Sequence, residues 1–182
     1  MTDSPSLPER PTEGGVEHSI LRWLRDLPGL SDDLKWSVYG LQDDSGDRIE
    51  GAKMLDDQYD RESNQVIYWQ ILREQLTQIN DAVTEQNVDR LLPSIRRAMD
   101  QDKLMAGNRA VHQLLREGIR FDTQHGNGTT KVIYAKLINF AHPERNRFDA
   151  VNQMRVIRRH SVRPDITLLV NGIPLVQMEL KS

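Results

Sequence analysis

The feature that most constrains the fold is the Asn171-Gly172 pair, set between two apolar runs of strand length within the stretch from Arg163 to Ser182. Asn-Gly suits the two consecutive positive-φ positions of a tight β-hairpin turn, so the chain is expected to fold back here as two antiparallel strands. Side chains alternate faces along a strand, which puts Glu179 and Lys181 on one face and Val176, Met178 and Leu180 on the other. Asp165 opens the first strand, and its position depends on register. A plain two-residue loop pairs it with Met178. A loop of odd length, or a bulge, pairs it with Glu179 and gathers Asp165, Glu179 and Lys181 on one surface.

Ahead of the hairpin, helical periodicity runs from Val16 through Ile20, Leu21, Leu24 and Leu27 to a stop at Pro28-Gly29, with Glu17 in the first turn. Residues 1–15, rich in Pro, Ser, Glu and Gly, read as a mobile tail. Residues 31–62 show poor periodicity and are expected to be irregular, with one short strand. The acidic turn at 42–47 lacks the spacing and terminal Glu of an EF-hand and reads as a solvated loop. Three helices are expected next: Ser63 to Asp81, Asn87 to Met99 with a kink at Pro93, and Asn108 to Glu117 ended by Gly118. Trp23, Trp36 and Trp69 are assigned to core packing, and His112 to an apolar helix face. A turn at 125–128 leads to strands over Lys131–Phe140 and Phe148–Ile157.

The net charge of −3 conceals an asymmetry. Residues 1–102 carry 11 basic and 21 acidic side chains, whereas residues 103–163 carry 12 basic and 4 acidic. The second stretch is cationic in the manner of a surface that faces phosphates. The chain contains no cysteine, which excludes disulfides, thiolate catalysis and cysteine-ligated zinc. None of its 5 histidines forms a metal-binding pair of the His-x-x-x-His kind. There is no signal peptide and no apolar run of membrane-spanning length, so the chain reads as cytoplasmic with no membrane partner.

Pro164-Asp165, a strand-length gap, then Glu179-x-Lys181 resembles the PD-(D/E)xK nuclease signature. The whole run from Arg163 to Lys181, with Asn146–Ile157 and Leu114–Ile119 upstream, resembles the N-terminal nuclease domain of HsdR, the restriction subunit of type I restriction-modification enzymes. The resemblance extends from about Val16 to the end and is strongest from Lys131 onward. It implies an α/β fold: a restriction-endonuclease-like mixed sheet with flanking helices and a helical insertion, over residues 16–182. It further implies magnesium-dependent hydrolysis of double-stranded DNA, with Asp165 and Glu179 as metal ligands beside the Leu180 carbonyl, Lys181 at the reacting phosphate, and Glu17 as an accessory acid. Methylase and specificity subunits are the implied protein partners. ATP would enter only through a motor domain, since no Walker A motif occurs in this chain. The family's next helix, with its Gln-x-x-x-Tyr motif, and its final strand lie beyond Ser182. The domain is therefore expected to be incomplete, and the isolated chain inactive. The competing expectation is a truncated, non-catalytic module that contacts DNA or docks a subunit.

Overall fold

The computed structural model describes residues 12–27, 29, 31–41, 50–101, 103–124 and 130–181. Of the tail expected over 1–15, residues 1–11 lie outside the described residues while 12–15 cap and begin a helix; the stop at Pro28, the acidic turn at 42–47 and the turn at 125–128 also lie outside them.

Helix α1 (Glu13–Arg25) starts where the Thr12 hydroxyl accepts the Gly15 N–H at 3.2 Å, an N-cap four residues before the expected start at Val16. Glu17 consequently stands in the second turn. Strand β1 (Ser37–Tyr39) and α2 (Gly51–Tyr59) follow, then α3 (Trp69–Ile79), α4 (Leu92–Met99) and α5 (Leu104–Glu117). The ribbon β2 (Ile119–Gln124) and β3 (Thr130–Ala135) precedes β4 (Phe148–Asn152), the short pair β5 (Val156–Ile157) and β6 (Ser161–Val162), and finally β7 (Ile166–Val170) and β8 (Ile173–Met178).

One mixed sheet has the order β1-β4-β7-β8, with β1 and β4 parallel and the other neighbours antiparallel. β7 is buried along its whole length, as its unbroken apolar run suits for a strand covered on both faces. One face carries α1: Leu21 and Leu24 meet Ala150, Ile166 and Leu168, with Met178 and Leu180 at the margin. The opposite face carries α2 and the start of α3, through Ala52, Leu55, Tyr68 and Ile71 against Val151 and Leu169. A separate core joins α3, α4 and the β2–β3 ribbon, and Ile173 of the hairpin inserts into it. Burying each such large side chain contributes about 1.5–3 kcal/mol.

Several expectations are corrected. Residues 51–59 form a helix, and residues 119–124 form a strand, neither of which local periodicity indicated. The helix expected from Ser63 starts only at Trp69. The Tyr68 N–H is instead given to the Gly172 carbonyl at 3.0 Å, and the buried Arg61 guanidinium takes the Gln65 carbonyl. Pro93 begins α4 within its first turn, where a missing N–H costs nothing, and a 3-10 turn over Val88–Arg90 precedes it. Helix α5 starts at Leu104, not Asn108, and His112 lies on its exposed side.

The strand expected to run to Phe140 ends at Ala135. Asn80 captures the Lys136 backbone, accepting its N–H at 2.7 Å and donating to its carbonyl at 2.9 Å. The strand expected from Phe148 to Ile157 breaks at Gln153, whose φ is +55°. Trp23 is 60% exposed, because Leu21 and Leu24 are the residues α1 turns toward the sheet. Trp36 packs beside Phe148, and Trp69 is half-buried beneath the Arg96 guanidinium.

Candidate active site

The hairpin turn is anchored at its tip. Asn171 and Gly172 have φ of +53° and +77°, as a type I′ turn requires. The Asn171 side chain is fully buried; it accepts the Arg147 N–H at 2.8 Å and donates to the Leu137 carbonyl at 2.8 Å and to Asn146 Oδ1 at 3.0 Å. A Cβ on Gly172 would lie 2.7 Å from the Tyr68 carbonyl oxygen, a backbone atom, so no larger residue fits.

From this anchor the pairing runs Val170 with Ile173 and Leu169 with Pro174, then Leu168 with Val176. Leu175 is left over as a bulge. The register resumes with Thr167 opposite Gln177 and Ile166 opposite Met178, the last pair of the ladder; Asp165 stands just before β7 and Glu179 just after β8. The two-residue loop and the bulge thus occur together. The Asp165 N–H donates to the Met178 carbonyl at 3.0 Å, and Asp165 Oδ2 accepts the Leu180 N–H at 2.6 Å. A carboxylate that holds a backbone N–H across the strand end fixes the stretch carrying Glu179 and Lys181.

Met178 and Leu180 turn toward α1, so strand alternation directs Glu179 and Lys181 to the other face. Both are exposed and, among the described residues, make no hydrogen bond or ion pair. Asp165 is half-buried, and its Oδ1 is not engaged by any described group. The three residues are carried by adjacent strands at one end of the sheet.

Glu17 reaches the same end from α1. It is 5% exposed, and Gln153 Nε2 donates to its Oε2 at 3.5 Å. The Gln153 N–H donates to the Asp165 carbonyl at 2.9 Å, while its side-chain oxygen accepts from Arg163. Gln153 therefore links the helix acid, the strand that presents Asp165, and an arginine. Sequence reasoning gave Gln153 no role. The available signal was its place in the Val151-Asn152-Gln153 run, and only the folded chain shows its positive φ and its partners.

Among the described residues no group of three or more His, Cys, Asp or Glu side chains is arranged to hold a metal ion. The donors at the sheet end are instead the free oxygen of Asp165, the Glu179 carboxylate and main-chain oxygen. This hard, all-oxygen set with two carboxylates fits magnesium, which fills its remaining positions with water or phosphate.

Two buried ion pairs stiffen the frame without entering the site. Arg147 shares its Nε–H between the two Asp149 oxygens, at 3.0 and 2.9 Å, and donates through its Nη atoms to the hydroxyls of Tyr59 and Tyr39. Burial pushes the Asp149 carboxyl above its usual range, and the Arg147 charge offsets only part of that shift. Arg61 pairs with Asp56 at 2.6 Å and lies over the Tyr68 ring, with its guanidinium 5.0 Å from the ring centre. Burial, and next the hydrogen bond to Asp56, hold the Tyr68 phenol well above the ordinary tyrosine value.

Residues 29–182 match the family model described as the type I restriction enzyme R protein N terminus. The chain belongs to that family. It is 36% identical to the type I restriction enzyme HindI endonuclease subunit of Haemophilus influenzae over 119 residues, 64% of this chain and 11% of that subunit. A type I restriction enzyme endonuclease subunit of Staphylococcus saprophyticus is 41% identical over 49 residues, 27% of this chain and 5% of the relative. One from Staphylococcus aureus is 49% identical over 37 residues, 20% of this chain and 4% of the relative. The chain thus matches only 4–11% of the length of these longer subunits. The family is that of an R-subunit N-terminal region, and the mixed sheet is compatible with the fold expected of it. No described helix is long and apolar enough to cross a membrane.

Proposed function

We propose that this chain is the nuclease segment of a type I restriction R subunit and hydrolyses phosphodiester bonds of double-stranded DNA with magnesium. The observation that carries the reading is the bulged register of β7 and β8. It ends with Ile166 opposite Met178, so Asp165 and Glu179 leave the ladder at the same end, where Asp165 Oδ2 takes the Leu180 N–H at 2.6 Å while the exposed Glu179 and Lys181 have no partner among the described residues. A structural ion pair would have closed on itself.

In this reading Asp165 Oδ1, Glu179 and the Leu180 carbonyl hold the ion. When bound there, it supplies Lewis-acid neutralisation of charge at the phosphate. Lys181 orients the attacking water and offsets negative charge that develops on the phosphoryl oxygens. The second oxygen of Asp165, bonded to the Leu180 N–H, sets the spacing between the two strands at the reacting end. Glu17, through Gln153, steadies the backbone of Asp165. Sequence recognition falls to a separate specificity subunit, and ATP-driven translocation to a motor outside these residues, as the family resemblance implies.

The test is the full-length subunit, reconstituted with its methylase and specificity partners. Asp165→Ala and Glu179→Ala each abolish DNA cleavage while ATP hydrolysis continues, because the motor is a different domain. Cleavage that persists in Asp165→Ala refutes the nuclease assignment and leaves a DNA-contacting or docking module. Loss of both activities marks misfolding, which a melting curve resolves.

A further inference from the structure

Beyond the sheet end that presents Asp165, the β4–β7 ladder continues outward as an arm. Asn152 faces Ile166, and four residues farther along each strand Val156 faces Val162 in the same offset, followed by Ile157 opposite Ser161. The Gln153 N–H to Asp165 carbonyl bond joins the two parts. The β5–β6 arm is therefore the outer portion of the hairpin that ends in the candidate ligand. The positive φ of Gln153 bends it, so that Met154 and Val156 pack into the same core as Val151.

The arm is fastened to the body along one side. Ile157 N–H donates to the Ser63 carbonyl at 2.7 Å, Arg158 Nε to the Asn64 carbonyl at 3.1 Å, and Arg61 to the Arg155 carbonyl at 3.0 Å. Its other side is open. Between Ala150 and Pro164 the chain holds Arg155, Arg158, Arg159, His160 and Arg163 and not one acidic residue. Among the described residues the arm's ion pair is Arg163 with Glu50, 3.9 Å apart at the base, while Asp56 and Asp57 line a cleft with Arg155 and Arg163, and Glu62 and Asp100 one with Arg158. Arg159 and His160, at the tip, are exposed, and their side chains make no hydrogen bond or ion pair among the described residues; the His160 carbonyl accepts the Arg158 N–H at 3.2 Å.

We propose that this arm grips the DNA backbone beside the cleavage point, with Arg158 and Arg159 bound to phosphates. The proposal rests on the nuclease reading and adds to it the surface that holds the substrate. A rigid ribbon with arginines and no acids is suited to phosphate oxygens, which guanidinium groups engage through two parallel hydrogen bonds. Such contacts carry no sequence information, in keeping with cleavage that does not read bases. Because the arm runs directly into Asp165, a phosphate fixed on it sets how the strand enters the site.

The experiment is equilibrium binding of the 182-residue chain to a fluorescent 30-base-pair duplex, in EDTA and over a salt series. EDTA removes cleavage, so the result is independent of the nuclease reading, whose own failure shows as cleavage persisting in Asp165→Ala. Releasing two phosphate contacts lowers the slope of log affinity against log salt by about 1.8. Arg158→Ala with Arg159→Ala is expected to show that loss and at least a tenfold weaker complex at low salt, whereas Arg159→Lys keeps the slope. Arg159→Glu, which breaks no internal bond, serves if the double variant melts early. An unchanged slope in these variants overturns the proposal, as does a wild-type chain with no salt-dependent binding. Normal DNA binding combined with failed assembly onto the partner subunits also overturns it, in favour of an acidic protein surface.

Discussion

Replacing Asn171 with alanine tests whether the buried turn holds the register on which the candidate site depends. The substitution removes the acceptor of the Arg147 N–H and the donor to the Leu137 carbonyl; Asn146 Oδ1 keeps the Asn139 N–H at 2.8 Å. Two buried backbone groups are left unpaired, at about 1–3 kcal/mol each. A methyl group in the left-handed conformation adds about 1–2 kcal/mol. The expected loss is about 3–8 kcal/mol, a large part of the roughly 5–15 kcal/mol that stabilises an ordinary domain. Urea unfolding of the 182-residue chain, followed by tryptophan fluorescence, measures it. Asn171→Gly loses the same bonds without the left-handed strain, so it should lie about 1–2 kcal/mol above the alanine variant. An alanine variant within about 1 kcal/mol of wild type would falsify the claim that this side chain clamps the hairpin, since even one orphaned group exceeds that.

The remaining expectations concern the frame and the site. Because Tyr68 is shifted upward, its stabilising contribution is complete below the unfolded tyrosine pKa of about 10 and is lost as pH rises above it, by up to about 1.4 kcal/mol per unit. Tyr68→Phe should lack that portion of the slope between pH 9 and 11, and parallel slopes for the two proteins would rule the linkage out. Arg61→Ala leaves the Asp56 carboxylate and the Gln65 and Arg155 carbonyls without their guanidinium, at a cost of about 3–5 kcal/mol. Thermal melting checks this, and a loss under about 1 kcal/mol is incompatible with a buried pair of this kind. Abolished cleavage in Asp165→Ala and Glu179→Ala, and the reduced salt slope of the arm variants, are the two functional counterparts.

Local pattern was enough to locate the central hairpin, because Asn171-Gly172 and its flanking runs state both the turn and the strands within a dozen residues. It was also enough to end α5 at Gly118, which adopts φ +84° with its would-be Cβ 2.6 Å from the Ala135 carbonyl oxygen. The residue types of the candidate site, Asp165, Glu179 and Lys181, were equally legible. Their relation in space was not. Two-residue turn chemistry alone pairs Asp165 with Met178; the extra residue at Leu175 sets Ile166 there instead, while the Asp165 N–H still donates to the Met178 carbonyl. Residues 63–68 have helical periodicity yet stay non-helical, since Tyr68, Ser63 and Asn64 bond to Gly172, Ile157 and Arg158, groups that the sequence places far away. Gln153 likewise gained its role from Glu17, Arg163 and the Asp165 backbone. Periodicity and turn propensity report what a segment prefers in isolation. Register, bulges and buried polar partners are decided when distant segments compete for the same backbone hydrogen bonds, and that competition exists only in the folded chain.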